Sequence, residues 1–290
     1  MELNRREFLQ TTVRGGGALA ALCLGCRQTG GARSTRELPV AFNTANLVAR
    51  VTGYRFKLAE WGEQHRKTVA ATDEQAWVSI CREISAAGFR AVEVWEAHAA
   101  PEVMHAERAT TWKKILGDHG LTPIGYGGRL TPETLQVCQW LEIPCINGGI
   151  GALTPQAATE MCSRAGIRLN HENHPEKSVA EILAKIGGGN EWLGVCVDTG
   201  WLGTQGVAAP EAVRALGALV RHTHIKDVKA AGAHDTCLLG EGVVDVAGVM
   251  RALREIGYTG WYSWEDEPED RNPFDSAVRN RRWIEERLAG

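Results

Sequence analysis

The chain has no excess of positive charge: 32 Lys and Arg stand against 35 Asp and Glu, a formal net charge of -3. No basic field is available to grip a phosphate backbone, which argues against a nucleic-acid partner. No stretch approaches the roughly 18 consecutive apolar residues of a membrane span. Beyond residue 26 no two cysteines stand in Cys-x-x-Cys spacing, which removes the common zinc and dithiol motifs. Cys81, Cys138, Cys145, Cys162, Cys196 and Cys237 each sit in an apolar or helical run and are expected as buried free thiols. Phenylalanine and tyrosine are scarce, five and four, against ten tryptophans, so indole rings carry most of the aromatic surface. What is present, 290 residues with 44% hydrophobic and 23% charged, is enough to bury a large core.

The first 35 residues read as an address separate from the domain over 36–290. Arg5-Arg6 precedes a short, weakly apolar, Gly/Ala-rich stretch from Gly15 to Gly25. That order resembles a twin-arginine export signal and implies a periplasmic or exported protein, folded before export and able to take up a cofactor inside the cell. Cys26 in Leu22-Cys23-Leu24-Gly25-Cys26 faintly resembles a lipid-attachment site, with Cys23 where such boxes usually carry leucine.

From Pro39 onward, short apolar runs alternate with amphipathic stretches that open on capping residues and close on glycine. Eight strands are expected: Val40–Leu47, Ala91–Trp95, Leu121–Tyr126, Cys145–Gly148, Ile167–His174, Leu193–Asp198, His222–Val228 and Gly260–Glu265. Helical patterns lie between them, with Thr131-Pro132 and Thr154-Pro155 placing proline in a first turn. Eight β/α units in about 250 residues predict an α/β fold of the (β/α)8 TIM barrel class. The alternative, a doubly wound open sheet, lacks a Gly-x-Gly-x-x-Gly after its first strand. Some 25 residues, Val48 to Thr72, separate the first strand from its helix and are expected to form a long functional loop, a lid over the site.

Four polar residues fall near the carboxyl ends of four successive late strands: Glu172, Asp198, His224 and Glu265, spaced by 26, 26 and 41 residues. Each interval holds one β/α unit, so a barrel brings the four side chains together. Singly, an Asp or Glu at a strand end is more often a helix cap or a salt-bridge partner. Three carboxylates and one imidazole in one place repel one another unless a divalent cation sits among them. Oxygen-rich ligation with one histidine suits Mn2+ best, with Mg2+ or Co2+ acceptable and Zn2+ less natural.

The stretches Gly88-Phe89-Arg90-Ala91-Val92-Glu93-Val94-Trp95, Glu172-Asn173-His174-Pro175, Val197-Asp198-Thr199-Gly200, His224-Ile225-Lys226-Asp227, Gly240-Glu241-Gly242 and Ile256-Gly257-Tyr258-Thr259-Gly260-Trp261 follow in that order. Together they resemble the sugar phosphate isomerase/epimerase family of xylose isomerase-like barrels. The resemblance covers most of the chain after the leader. It implies a metal held by Glu172, Asp198, His224 and Glu265, with both glutamates doubling as acid/base groups. Many relatives carry histidine three residues after the aspartate; here that residue is Trp201.

A dication bridging a sugar's carbonyl and neighbouring hydroxyl acidifies the adjacent C–H and stabilises an enediolate, which Glu172 and Glu265 can deprotonate and reprotonate. Glu93, Trp95, His174, Trp201, Lys226 and Trp61 are the expected substrate-binding residues. Glu93 is as well placed to orient a neighbour, and Lys226 to neutralise Asp227. His222 reads as a core histidine, and Trp264 as packing beneath a helix. The last loop, Glu265-Asp266-Glu267-Pro268-Glu269-Asp270-Arg271, holds five acids and one arginine, which disfavours a phosphorylated substrate. Three functions follow: a metal-dependent isomerase or epimerase of an unphosphorylated keto-sugar, a lyase cleaving 3-keto-glycosides, or an exported sugar-binding protein without turnover. A homo-oligomer and an upstream sugar oxidoreductase are compatible with each.

Overall fold

The computed structural model describes residues 38–290; the export-signal and Cys26 expectations fall outside the described residues. Eight parallel strands close into one barrel in chain order. They are β1 (Val40–Asn43), β2 (Ala91–Trp95), β3 (Thr122–Gly127), β4 (Cys145–Gly148), β5 (Arg168–Glu172), β6 (Leu193–Asp198), β7 (Val220–Ile225) and β8 (Tyr262–Trp264). Helices α1 (Trp61–Ala71) and α2 (Glu74–Ala86) follow β1, α3 (Ala106–Asp118) follows β2, α4 (Pro132–Leu141) β3, α5 (Pro155–Ala165) β4 and α6 (Val179–Lys185) β5. After β6 come α7 (Thr199–Thr204) and α8 (Ala209–Leu216), then α9 (Val246–Glu255) after β7 and α10 (Phe274–Ala289) after β8. No helix among the described residues is long and apolar enough to cross a membrane, and all six cysteines there are unpaired.

Local chemistry sets the helix ends. Thr131 accepts from the Thr134 amide in a capping box ahead of Pro132, and Thr154 accepts from Ala157 ahead of Pro155. Gly166 ends α5 at φ 69°, a left-handed conformation that glycine adopts without steric cost.

The apolar core lies between the sheet and the helices. Phe42 packs edge-on to Phe89 and Trp264 at 5.4 and 5.5 Å, and stacks on Phe274 of α10 at 5.3 Å. Trp264 thus faces away from the barrel axis, as strand alternation predicts. Inside the barrel only the amino-terminal end is apolar, where Ala41, Ala91 and Ile124 cluster with Trp261. Above it the filling turns polar: Asn170 donates to Asn147 (2.8 Å), Asn147 to Glu93 (2.9 Å), and His222 meets Glu93 at 2.8 Å. These contacts pair most of the buried polar groups, while the Asn170 Oδ1 atom is left without a partner.

The segment expected as a loop over Val48–Thr72 instead contains two 3-10 turns and α1. The helix was hidden because its inward residues are Gln64 and Thr68, which breaks the apolar period. Gln64 donates to the Val48 carbonyl at 2.6 Å. Phe56 and Trp61 pack on Trp95, and Leu58 N donates to Glu269 Oε1 at 2.7 Å, tying the insertion to the acidic loop after β8.

The loop after β3 crosses close over the end of β4. A Cβ on Gly148 would lie 1.9 Å from the Gly128 carbonyl oxygen, a backbone atom. Gly148→Ala is therefore expected to cost about 2–3 kcal/mol by overpacking, read as a lowered urea midpoint with unchanged slope. An unchanged midpoint would show that the two backbones are free to separate.

Candidate active site

The carboxyl ends of the strands open into two adjoining cavities. The larger, about 680 Å3, has Trp61, Trp95, Glu172, His174, His224 and Glu265 in its wall. The smaller, about 190 Å3, is bordered by Asp198, Trp201, Lys226 and His234. His174, Leu58 and Glu267 belong to both walls.

His224, on β7, is the hub. Its Nδ1 lies 2.7 Å from Glu172 Oε1, at the end of β5, and 3.3 Å from Glu265 Oε1, just past β8. Its Nε2 lies 3.0 Å from Glu93 Oε1, so the ring stands upright between the polar filling and the cavity. Asn43, closing β1, donates to Glu265 Oε1 at 2.7 Å. Asp198, closing β6, caps α7 with one oxygen: Oδ1 accepts from the Gly200 and Trp201 amides at 2.7 and 3.0 Å. Its other oxygen, Oδ2, is buried and has no hydrogen-bond partner among the described residues. His174 Nε2 lies 3.2 Å from it and Lys226 Nζ 3.7 Å. The ordinary capping role and a free ligand oxygen thus coexist on one side chain.

Ligand atoms converge in two triads that share Glu172: Glu172 with His224 and Glu265, and Glu172 with His174 and Asp198. A third convergence, Cys196 with His222 and His224, lies among buried groups, and burial pushes the Cys196 thiol well above its usual range, the wrong state for a ligand.

The charges show a site overloaded with carboxylate. Burial, with Glu267 nearby, pushes Glu265 up to about 8 against the opposing pull of His224 and Lys226. Burial also acts to raise Glu172, but His174 and His224 outweigh it and hold that carboxyl below its ordinary value. Lys226 is held well above its ordinary value: burial opposes the charge, and Glu267, Glu265 and Asp198 overcome it. A carboxyl kept protonated by crowding, beside an orphaned carboxylate oxygen, is the environment a dication relieves. Glu172, Asp198, His224 and Glu265, gathered as two triads that share Glu172, therefore offer the donor types that a hard divalent ion takes, with His174 as a further donor.

Trp61, Trp95 and His174 line the large cavity, and Trp201 and Lys226 the small one. Glu93 does not reach either: it is fully buried beneath His224, where it orients the imidazole, and the expectation of substrate contact is corrected. Lys226 does not neutralise Asp227, whose oxygens accept from the amides of Val228, Gly240, Gly242 and Val244. Its ammonium instead meets Glu265 (3.3 Å), Asp198 and Glu267. Asn43, Asn173 and Glu267 were missed. Asn173 exchanges two hydrogen bonds with the Asp198 backbone, and its place beside Glu172 was the one available signal.

Residues 155–287, which carry all four donors, match the family model of the xylose isomerase-like TIM barrel. Over an alignment of 85 positions the chain is 32% identical to an inosose dehydratase of Geobacillus thermodenitrificans, and over one of the same length 34% identical to one of Serratia proteamaculans. In each case 23% of this chain is aligned, and the chain spans only 28% of the relative's length. Among solved structures, an L-ribulose 3-epimerase superposes with a TM-score of 0.64 at 16% identity, covering 87% of this chain and 95% of the other. A D-allulose 3-epimerase from Methylomonas sp. does so with 0.64 at 15%, covering 87% and 98%. These likenesses agree with the architecture, an eight-stranded TIM barrel, and residues 155–287 carry the xylose isomerase-like match.

Proposed function

We propose that this protein is a sugar-modifying enzyme: a divalent-metal-dependent isomerase or epimerase of an unphosphorylated keto-sugar. The observation that carries the reading is the meeting of Glu172 and Glu265, from strands three apart, on one imidazole edge at 2.7 and 3.3 Å, beside the unpartnered Asp198 oxygen. Glu172, Asp198, His224 and Glu265 would hold the ion, Mn2+ by the oxygen-rich donor set. When bound, it supplies Lewis-acid polarisation of the sugar carbonyl and offsets the carboxylate charge.

The chain's own residues do the rest. One glutamate takes the proton from the carbon next to the carbonyl; the other, on a different wall, returns it. Return to the opposite face of the same carbon is epimerisation, and return to the neighbouring carbon is isomerisation. Asn43 fixes the Glu265 carboxyl, and Lys226 holds it from the other side. Trp61 and Trp95, 5.4 Å apart and edge-to-face, offer indole surface to the C–H faces of a sugar. Glu267 and Glu269 at the entrance disfavour a phosphate. Residues 48–72 act as the lid, and residues 1–35 direct export; equal proteolysis of 48–72 with and without sugar would count against the lid.

Elimination is the second reading, favoured by the smaller cavity on the Asp198 side and by the dehydratase relatives. The same proton leaves, and a substituent β to the carbonyl departs with its electron pair, as in cleavage of a 3-keto-glycoside. The discriminating experiment incubates Mn2+-loaded protein with keto-sugars and 3-keto-glycosides in deuterated water. Deuterium next to the carbonyl without aglycone release marks isomerisation or epimerisation; aglycone release marks the lyase. Chelation is expected to stop either and added Mn2+ to restore it. Binding without exchange or release would reduce the protein to a sugar-binding module.

A further inference from the structure

The four candidate metal donors do not face one space. Glu172, His224 and Glu265 face the larger cavity, Asp198 faces the smaller, and His174 stands in the wall of both. Whatever sugar unit is held at those donors therefore has a second room beside it. That room, about 190 Å3, has space for about six waters at their liquid volume, comparable to one six-membered ring.

Its walls are built for a ring. Trp201 is fixed at both ends: its Nε1 donates to the Glu176 carbonyl at 2.7 Å, and its ring meets that of His174 in a T-shaped pair with centroids 4.5 Å apart. His234 lies 5.7 Å from Trp201 with the planes tilted by 30°, a second flat surface at the entrance. Its loop is pinned to α7 by the Thr204 hydroxyl, which donates to the Ala233 carbonyl at 2.6 Å. Val228 and Leu58 add apolar wall beside the two rings, and Asp198, Lys226, Glu267 and Glu269 add charged groups of both signs. Such a surface favours a neutral ring with an apolar face over an anion or an open-chain polyol.

We propose that the small cavity is an aglycone subsite: the protein acts on glycosides, the larger cavity taking the sugar unit and Trp201 with His234 taking the ring attached to it. The proposal rests on the reading of the larger cavity as a sugar site, and it identifies the substrate class within that reading. Trp201 and His234 are binding residues that set specificity and touch no transferred proton.

The test is equilibrium binding of two probes that differ only in the attached group, methyl β-glucoside and phenyl β-glucoside, to the Mn2+-loaded full chain. The phenyl compound is expected to bind about tenfold more tightly, the scale of one good aromatic contact. Trp201→Ala and His234→Ala are each expected to bring the ratio near one with the methyl compound's Kd changed less than twofold. His234 is exposed, so that variant reads the subsite even if Trp201→Ala fails to fold. Trp61→Ala, in the larger cavity, should weaken both probes equally. Equal affinities in the wild type, or a tenfold ratio persisting in His234→Ala, overturns the subsite while leaving the sugar site standing. Failure of both probes to bind overturns the subsite, and failure of a keto-sugar to bind the same protein overturns the sugar site as well. A ratio that responds as expected, in a protein that exchanges no proton with any keto-sugar or keto-glycoside, keeps the subsite and refutes the catalytic reading alone.

Discussion

Glu172→Gln is expected to lower turnover by about 10^2- to 10^4-fold, the span of a positioned general acid or base, while leaving the thermal midpoint within a few degrees. Glutamine keeps the shape and one acceptor oxygen, so the interaction with His224 Nδ1 at 2.7 Å can persist while the proton-accepting carboxylate is gone. Glu265→Gln is expected to do the same. That side chain accepts from Asn43 Nδ2 at 2.7 Å and from Lys226 Nζ at 3.3 Å, so the amide keeps one of these two contacts through its oxygen and loses the other. The measurement is steady-state turnover together with solvent deuterium incorporation, at saturating Mn2+ and with bound metal quantified. Full activity in either variant would refute the acid/base pair. A loss that follows the bound-metal content in proportion would reassign the residue to ion binding alone.

The second large effect lies beneath the cavity. Glu93→Gln is expected to weaken Mn2+ binding by about 10- to 100-fold, the usual consequence of disturbing the group that orients a ligand histidine. Glu93 is buried, and His222 and His224 hold its carboxyl well below the ordinary range despite the cost of burial, so it is ionised and acceptor-only. With both its oxygens accepting from ring nitrogens, it sets the orientation of His224 and leaves Nδ1 facing the glutamates. An amide brings one N–H into that set and forces a different tautomer or a broken contact. Activity at saturating metal should largely recover, which separates positioning from chemistry. Wild-type affinity in this variant would show that Glu93 only fills space.

The strand ends that carry Glu172, Asp198, His224 and Glu265 were legible because each closes a β/α unit of recognisable length. Closure of the sheet then turns sequence spacing into proximity. Glu93 obeyed the same strand alternation, yet alternation cannot say how deep in the barrel a side chain sits or whether a histidine from another strand stands above it. Lys226 was assigned to its neighbour Asp227. Three backbone amides from a loop 13 to 17 residues away, together with the adjoining Val228 amide, had already satisfied that carboxylate, and no local pattern shows the loop's return. Helix α1 escaped for a different reason: its buried face is polar, so the periodicity that reveals amphipathic helices was absent.

The most direct test of the account is a Mn2+ titration followed by paramagnetic resonance on the full chain and on Glu172→Ala, Asp198→Ala, His224→Ala and Glu265→Ala. One ion per chain, with affinity lost in every variant, is the predicted result. No stoichiometric binding by the wild-type chain, or binding that survives removal of any of the four, would contradict a shared dication at this site.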